Sequence, residues 1–299
     1  MSLRNYLSVM FAGVALLILS NVAHASEELQ WAGCGITKKA FMSEIAKAYT
    51  LKTGIKVNLS GGGATKGIRN AAKGNIHIGG ACRISLEQHP EERGAFQIPV
   101  AWDALVPFVH TDNPVNNISF KQLGQVYKGE ITNWKQLGGK DAPIDLYVRR
   151  GKLSGVGRTL RELVFSNYDQ DFKATYVVKS SGPVEKGVEK NPNGFGVSGI
   201  SSAKKRKLKL LKLDGTPPSY ENIKNGSFAL YRPLYLVIRR GDSRPIVRDF
   251  IKFAVTKEGQ DIIRKQGTVP YSHALHLVMK QLDQFERATS SGLHETRVN

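Results

Sequence analysis

The chain has 299 residues, with 43 lysines and arginines against 25 aspartates and glutamates, and a formal net charge of +18. A hydrophobic content of 41% with 23% charged residues is typical of an ordered, globular chain and excludes an intrinsically disordered one. Two cysteines exclude a disulfide-dense scaffold and a zinc site with four cysteine ligands. The excess of positive charge predicts anionic partners.

Residues 1–25 have the pattern of a secretory signal peptide. Arg4 supplies the positive charge at the start, residues 7–19 are mostly apolar, and Ala23-His24-Ala25 has small residues at the cleavage positions. The apolar run is shorter than the ~20 residues that a transmembrane helix needs. A lipid-attachment site at Cys34 is disfavoured, because acidic residues separate it from the apolar run. We therefore expect cleavage after residue 25 and a periplasmic mature chain.

From residue 26 onwards, segments with helical periodicity alternate with segments that have the periodicity of strands. The helical segments are residues 38–52, 66–73 and 246–264. The strand-like segments are residues 55–59, 76–78, 105–110 and 232–239. Strands that alternate with helices of this length predict an α/β fold with a largely parallel sheet.

The chain lacks two common sequence motifs of enzymes. Gly-x-Ser-x-Gly and the Walker A motif are both missing from the sequence. His273 and His276 have helical spacing, but no carboxylate ligand lies near them in the sequence. We therefore expect a binding protein rather than an enzyme, with no cofactor and no metal ion.

Four turns rich in glycine, serine and threonine lie between strand-like and helical segments. They are residues 33–37, 61–65, 79–83 and 149–157. Such turns let backbone N–H groups approach a ligand, and the following helix N-terminus adds partial positive charge. Thr37, Thr65 and Ser154 are placed to cap the following helices. Since Arg83 and Arg150 can each bind a tetrahedral oxyanion through two N–H groups, the turns together predict an anion site.

Several ordered segments resemble those of the periplasmic phosphate-binding proteins that serve ABC transporters, a branch of the two-lobed solute-binding superfamily. The resemblance extends from about Trp31 to Tyr271. The segments that carry it are Gly33-Cys34-Gly35-Ile36-Thr37, Gly61 to Gly67, Ile78-Gly79-Gly80-Ala81-Cys82-Arg83, Ile131-Thr132-Asn133-Trp134, Arg150 to Gly155, Asn191 to Gly196, and Tyr231-Arg232-Pro233-Leu234.

The resemblance implies a type II-like binding protein with two α/β lobes, joined by crossover strands, that close on one anion. Lobe I would consist of residues 26–110 and 232–280, lobe II of residues 111–231, and a C-terminal tail of residues 281–299. The implied ligand is inorganic phosphate, passed on to the membrane subunits of an ABC transporter. The implied ligand contacts are Thr37, Ala64, Thr65, Arg83, Arg150, Ser154 and Gly155.

The chain departs from the family pattern at several of these positions. Ala64 and Val156 each replace a residue with a hydroxyl, and Cys82 replaces a serine. Some phosphate binders have an aspartate at the position of Arg83 that accepts the proton of hydrogen phosphate, whereas arginine accepts no hydrogen bond. A site with donors only suits a fully ionised anion, so sulfate remains an alternative ligand. An envelope sensory or interaction protein that binds another ligand, or none, is the alternative function.

The two cysteines, Cys34 and Cys82, both lie in turns that the resemblance implies are at the cleft. An exported chain permits a disulfide, and these residues are the one available pair. Two free thiols that contact a ligand or a soft metal ion are the alternative.

The densest basic run is Lys204, Lys205, Arg206 and Lys207. One interpretation is a solvated surface, and the other is contact with an anionic polymer or lipid surface of the cell envelope. Nucleic acid is not an expected partner, because the chain is exported and the run has no aromatic residue.

Overall fold

The computed structural model describes residues 28–86 and 88–290, in which strands and helices alternate along most of the chain. The strands are β1 (Leu29–Gly33), β2 (Val57–Ser60), β3 (Ile78–Ala81), β4 (Ala95–Val109), β5 (Asn117–Ile118), β6 (Asp145–Arg149), β7 (Tyr176–Val178), β8 (Gly194–Gly199), β9 (Lys209–Leu210), β10 (Lys212–Leu213), β11 (Tyr231–Arg239) and β12 (Val269–Pro270). The α-helices are α1 (Gly35–Thr37), α2 (Ser43–Thr53), α3 (Gly63–Lys73), α4 (Phe120–Lys128), α5 (Gly155–Leu160), α6 (Ser181–Glu189), α7 (Ile200–Ala203), α8 (Tyr220–Lys224), α9 (Pro245–Val255), α10 (Lys257–Lys265) and α11 (Leu277–Ser290). The α/β class is therefore confirmed.

One long strand, β4, joins two halves of a continuous sheet with the order β2-β1-β3-β11-β4-β8-β6-β7. Residues 95–104 of β4 pair with β11, and residues 105–109 pair with β8. β1 is parallel to β2 and β3 in the first half, and β6 is parallel to β7 and β8 in the second. The strands that cross between the halves are antiparallel to their neighbours. The sheet therefore contains both parallel and antiparallel pairs. The antiparallel pairs arise because the chain crosses from the first half to the second in β4 and returns in the opposite direction in β11.

The crossover strands carry a buried pair of opposite charges. Asp103 of β4 and Arg232 of β11 are cross-strand partners, and their side chains are 0% and 3% exposed. Arg232 Nη2 lies 3.6 Å from Asp103 Oδ2. Arg232 Nη1 donates to the carbonyl oxygens of Cys82 at 3.1 Å and Gly155 at 3.2 Å. One guanidinium therefore contacts the crossover strands and both halves of the molecule.

The element bounds differ from the predicted ones where glycine or a side-chain cap decides the local structure. The first three residues of the turn predicted at residues 79–83 belong to strand β3. Gly80 in this strand packs against Trp31, and a Cβ on Gly80 would lie 2.1 Å from Trp31 Cζ2. The helix predicted at residues 246–264 is two helices, since Thr256 ends α9 and its hydroxyl accepts the N–H of Gly259 in α10.

The two ends of the predicted domain scheme fall partly outside the described residues. The signal peptide, residues 1–25, lies outside them entirely. Of the predicted C-terminal tail, residues 281–290 belong to helix α11, and residues 291–299 lie outside. None of the helices in residues 28–86 and 88–290 is long and apolar enough to cross a membrane.

Gly33 lies where β1 passes closest to β3, and its replacement with alanine should destabilise the protein. A Cβ on Gly33 would lie 2.4 Å from the carbonyl oxygen and 2.5 Å from the nitrogen of Gly80, which are backbone atoms that cannot turn aside. We expect G33A to lower the free energy of unfolding by about 1–3 kcal/mol, measured by urea unfolding. The matched control is G35A, whose Cβ would have no atom within 4 Å. Equal losses in the two variants would contradict the packing argument.

Candidate functional site

The predicted ligand residues meet where the two halves of the molecule contact each other. Thr37 is fully buried, and its hydroxyl donates to the carbonyl oxygen of Ala81 at 3.1 Å. The hydroxyl of Thr65 donates to the carbonyl oxygen of Leu153 in the second half at 3.3 Å. The prediction that Thr37 and Thr65 cap their helices is wrong, since the N-cap positions are Cys34 and Gly62.

Arg83 uses all five of its N–H groups within the protein. Its Nη1 and Nη2 atoms donate to the two carboxylate oxygens of Glu92, at 2.8 and 2.7 Å. The remaining N–H groups donate to Ile84 O at 2.7 Å, Leu153 O at 3.0 Å and Thr65 Oγ1 at 3.1 Å. Because a guanidinium has five N–H donors, Arg83 has none left for an anion. The expected contact between Arg83 and a ligand does not fit this arrangement.

Gly155 packs directly against the first half of the molecule. A Cβ on Gly155 would lie 2.3 Å from Cys82 Sγ and 3.3 Å from the Cβ of Ala64. Ala64 is 1% exposed and Cys82 is fully buried. The prediction that Ser154 caps the next helix is confirmed: its hydroxyl accepts the N–H of Gly157 at 3.2 Å. This region is a closely packed junction between the two halves.

The two cysteines lie side by side as thiols within the same junction. Their sulfur atoms are 2.7 Å apart, and both residues are buried. With Cys34 as the acceptor, the hydrogen bond from Cys82 lowers the pKa of the Cys34 thiol against the effect of burial, and the charge of Arg232 acts in the same direction. The same hydrogen bond and burial raise the pKa of Cys82. Cys34 is thus the thiol that ionises first.

A cleft of about 640 Å³ opens next to the junction, between the two halves of the molecule. The first half contributes residues 34–36, Lys39 and residues 61–63. The second half contributes Arg149, residues 179–183, Lys186, Ser202 and Arg206. The lining includes Cys34, Arg206 of the basic run, and parts of three of the predicted glycine-rich turns: residues 34–36, residues 61–63 and Arg149. The seven predicted contacts are all described residues, and none of them lines the cleft.

The side chains around the cleft are strongly cationic. Five of them are basic, and no carboxylate is among the described residues that line it. Glu185 is buried beside the rim, where its carboxylate lies 3.5 Å from Lys39 and 3.3 Å from Arg206. The other cations are Arg149, Lys179 and Lys186, and these have no carboxylate partner within the described part of the chain. The cleft therefore favours an anionic ligand.

The N-termini of α3 and α6 line this cleft, and no side chain caps either of them. The N-caps of α3 and α6 are Gly62 and Ser180, and neither makes a side-chain hydrogen bond to its helix. Hydroxyl side chains cap α4, α5, α8 and α10, whereas α1, α2, α7 and α9 are, like α3 and α6, without a side-chain cap. An uncapped N-terminus directs partial positive charge and unpaired N–H groups at a ligand.

Two buried polar atoms at the cleft have no hydrogen-bond partner. They are Nε of Arg149 and the hydroxyl oxygen of Ser181. Arg149 reaches across to the N-terminus of α3, since a Cβ on Gly63 would lie 3.5 Å from its Nη2. Arg150, the arginine predicted to bind the ligand, is exposed and does not line the cleft. Of the two adjacent arginines at the end of β6, Arg149 is therefore the one that lines the cleft.

The sequence contained signals for both groups of residues that the prediction missed. In β6, Leu146 and Val148 are buried, so residues of odd number share the opposite face, which ends at Arg149. Residues 179–183, Lys-Ser-Ser-Gly-Pro, follow strand β7 and include the start of helix α6, which is the same pattern as in the turns that the prediction used.

The basic run at residues 204–207 is largely engaged within the protein. Lys204 Nζ donates to the carbonyl oxygen of Gln266, and Lys205 Nζ donates to the carbonyl oxygen of Lys39 at 2.8 Å. Arg206 pairs with Glu185 and also lines the cleft. The contacts of Lys204 and Lys205 join the two halves of the molecule, whereas Arg206 and Glu185 both belong to the second half.

Metal binding has no support within the described residues. No three of their histidine, cysteine, aspartate and glutamate side chains are placed to hold a metal ion together. The thiol pair lacks the further ligands that most protein metal sites provide.

The comparisons with known proteins agree with this architecture. The model of the PBP superfamily domain matches residues 22–258. Phosphate-binding protein PstS of Borreliella burgdorferi is 28% identical over 252 residues, which cover 81% of this chain and 90% of the relative. A crystal structure from Clostridium perfringens, described as a phosphate ABC transporter substrate-binding protein with bound phosphate, has a TM-score of 0.75 and 28% identity, and the match covers 82% of this chain and 99% of that one.

A second solved structure has the same fold. It is an ABC-type phosphate transport receptor from Vibrio cholerae, with a TM-score of 0.64 and 25% identity over 82% of this chain and 100% of that one. The family match alone spans well over half of the sequence. The chain therefore belongs to the PBP superfamily.

Proposed function

We propose that the protein is an exported solute-binding protein that captures an inorganic oxyanion, with phosphate as the first choice, for an ABC transporter. The observation that carries the proposal is the cleft with five basic side chains, two uncapped helix N-termini and no lining carboxylate. Two of its similar proteins are described as phosphate transport proteins, one with phosphate bound. Both are binding proteins, which fits the expectation that this chain is not an enzyme.

The ligand contacts follow from the residues that line the cleft. Arg149 and the backbone N–H groups of Gly62 and Gly63 would replace the hydration shell of the anion. The residues predicted from the resemblance take a different role in this proposal. Thr37, Ala64, Thr65, Arg83, Ser154 and Gly155 form the junction that holds the two halves together around the cleft.

Calorimetry on ligand-stripped, refolded protein tests the function. Phosphate titrated into the protein in a chloride buffer should bind one-to-one with measurable heat. The absence of binding heat in this titration would overturn the proposal. Sulfate is the informative competitor. Because no carboxylate lines the cleft to accept the proton of hydrogen phosphate, discrimination against sulfate should be weak, with the unpaired proton costing about 1–3 kcal/mol.

The domain scheme and the cellular location belong to the same proposal. Lobe I comprises residues 26–110 and 232–280, lobe II comprises residues 111–231, and residues 1–25 direct export to the periplasm. The passage of the chain between the halves in β4 and its return in β11 support a division into two lobes, and β4 changes its partner from β11 to β8 between residues 104 and 105. The partners are the membrane subunits of the transporter. We do not extend the proposal to the cell envelope, because three of the four basic residues in the run at 204–207 are engaged within the protein.

We further propose that Cys34 and Cys82 form a disulfide in the oxidising periplasm. The two sulfur atoms already touch, and the lowered pKa of Cys34 favours the thiolate that starts the exchange with an oxidising disulfide. We expect thiol titration of the exported, denatured and unreduced chain to find no free thiol, and the same chain made under reducing conditions to show both. Two free thiols in the exported chain would contradict this.

A further inference from the structure

The N-terminus of α6 provides a second polar surface in the cleft, on the wall that the second half of the molecule contributes. α6 has nine residues, and its N-cap Ser180 makes no side-chain hydrogen bond to the helix. Ser181 is 9% exposed and lines the cleft, and its hydroxyl has no hydrogen-bond partner. A buried hydroxyl without a partner is unfavourable, so a ligand oxygen at this point would satisfy it.

The basic residues divide between this surface and the one at α3. Arg149 lies against Gly63 at the N-terminus of α3. Lys179 lies just before α6 and Lys186 lies in its last turn; both line the cleft, and they have no carboxylate partner within the described part of the chain. The cleft thus contains two groups of anion donors, one around Arg149 and the other around Ser181.

The size of the cleft exceeds what one tetrahedral anion needs. At about 640 Å³ it falls among the pockets of roughly 300–1,000 Å³ that enclose organic ligands. An anion that spans both groups of donors would use the cations of both groups.

We propose that the cleft binds an anion with two linked phosphoryl groups, one at Arg149 and the N-terminus of α3, the other at Ser181 and the N-terminus of α6. This inference rests on the proposed anion-capture function and extends its ligand class. Inorganic diphosphate and a nucleoside diphosphate share this chemistry.

Calorimetric titration of the ligand-stripped mature chain with orthophosphate, pyrophosphate and ADP tests the inference. We expect pyrophosphate, ADP or both to bind at least about tenfold more tightly than orthophosphate. A preference for ADP would identify an organic diphosphate as the ligand, and a preference for pyrophosphate would identify the inorganic one.

Variants of α6 locate the second group. For each variant we compare the affinity for the diphosphate, divided by the affinity for orthophosphate, with the same ratio in the wild type. S181A and K186Q should each lower this ratio by about tenfold. K190Q is the matched control, because it removes the same charge from the C-cap of α6, four residues further along, and Lys190 does not line the cleft. It should leave the ratio unchanged.

Two results would overturn the inference while the proposed function stands. One is orthophosphate binding with no tighter binding of pyrophosphate or ADP, and the other is an equal change of the ratio in K186Q and K190Q. Failure of all three anions to bind contradicts the proposed function itself.

Discussion

Replacing Glu92 with alanine is expected to lower the free energy of unfolding by about 3–5 kcal/mol, because it leaves the guanidinium of Arg83 buried without its counter-charge. The side chains of Arg83 and Glu92 are 2% and 0% exposed, and Nη2 lies 2.7 Å from Oε1. Glu92 Oε2 also accepts the backbone N–H of Leu86 at 3.1 Å. Urea unfolding followed by circular dichroism measures the loss.

The neighbouring glutamate provides the control for this prediction. Glu91 pairs with Arg69 at 3.3 Å, but its side chain is 41% exposed, so E91A should cost less than about 1 kcal/mol. Replacing both members of the buried pair, as in R83M/E92L, should recover much of the stability, because no unpaired charge is then buried. Similar losses in E91A and E92A would show that burial of the pair does not matter.

The same ion pair makes stability depend on pH. Burial alone would raise the pKa of Glu92, but the hydrogen bonds and the charge of Arg83 outweigh burial and lower it below the ordinary value of 4.5. The stabilisation is therefore complete above the unfolded-state pKa and is lost as the pH falls through the lower folded-state pKa. The wild-type protein should lose more stability than E92A between about pH 5 and pH 3, and parallel pH curves would contradict the assignment.

Periodicity predicted the helices of the first half well, and it failed where tertiary packing overrides local pattern. The strand predicted at residues 105–110 is the end of β4, which begins at Ala95. Its first ten residues include Pro99 and Asp103, which interrupt an apolar pattern. They form a strand because β11 pairs with all of this stretch and Arg232 lies beside Asp103.

The candidate site was predictable in its chemistry but not in its residues. Glycine-rich turns and basic charge correctly indicate an anion site near the first turns of the chain. Arg83 donates to Glu92, which lies in a separate turn, and nothing in the sequence marks the two as partners. The choice between Arg149 and Arg150 depends on which face of β6 meets the cleft, which the burial of Leu146 and Val148 decides.

That choice can be tested directly, because the two adjacent arginines are predicted to differ in their effect on ligand binding. R149Q should weaken phosphate binding about 10- to 100-fold, since it removes charged hydrogen bonds worth about 1.5–3 kcal/mol. Nε of Arg149 is buried and has no partner at the cleft, so the protein leaves this donor to the ligand. Isothermal titration calorimetry of the two variants measures the difference.

R150Q is the matched control, with the same loss of charge one residue further along the chain. Arg150 is exposed and lies outside the cleft lining, so its removal should change affinity by less than about threefold, the effect of one screened surface charge. A larger loss in R150Q than in R149Q would support the contact implied by the family resemblance and contradict the face of β6 seen here. Equal losses would mean that the ligand responds to the net charge of the cleft alone. The contrast between the two variants therefore separates direct contact from electrostatic attraction at this site.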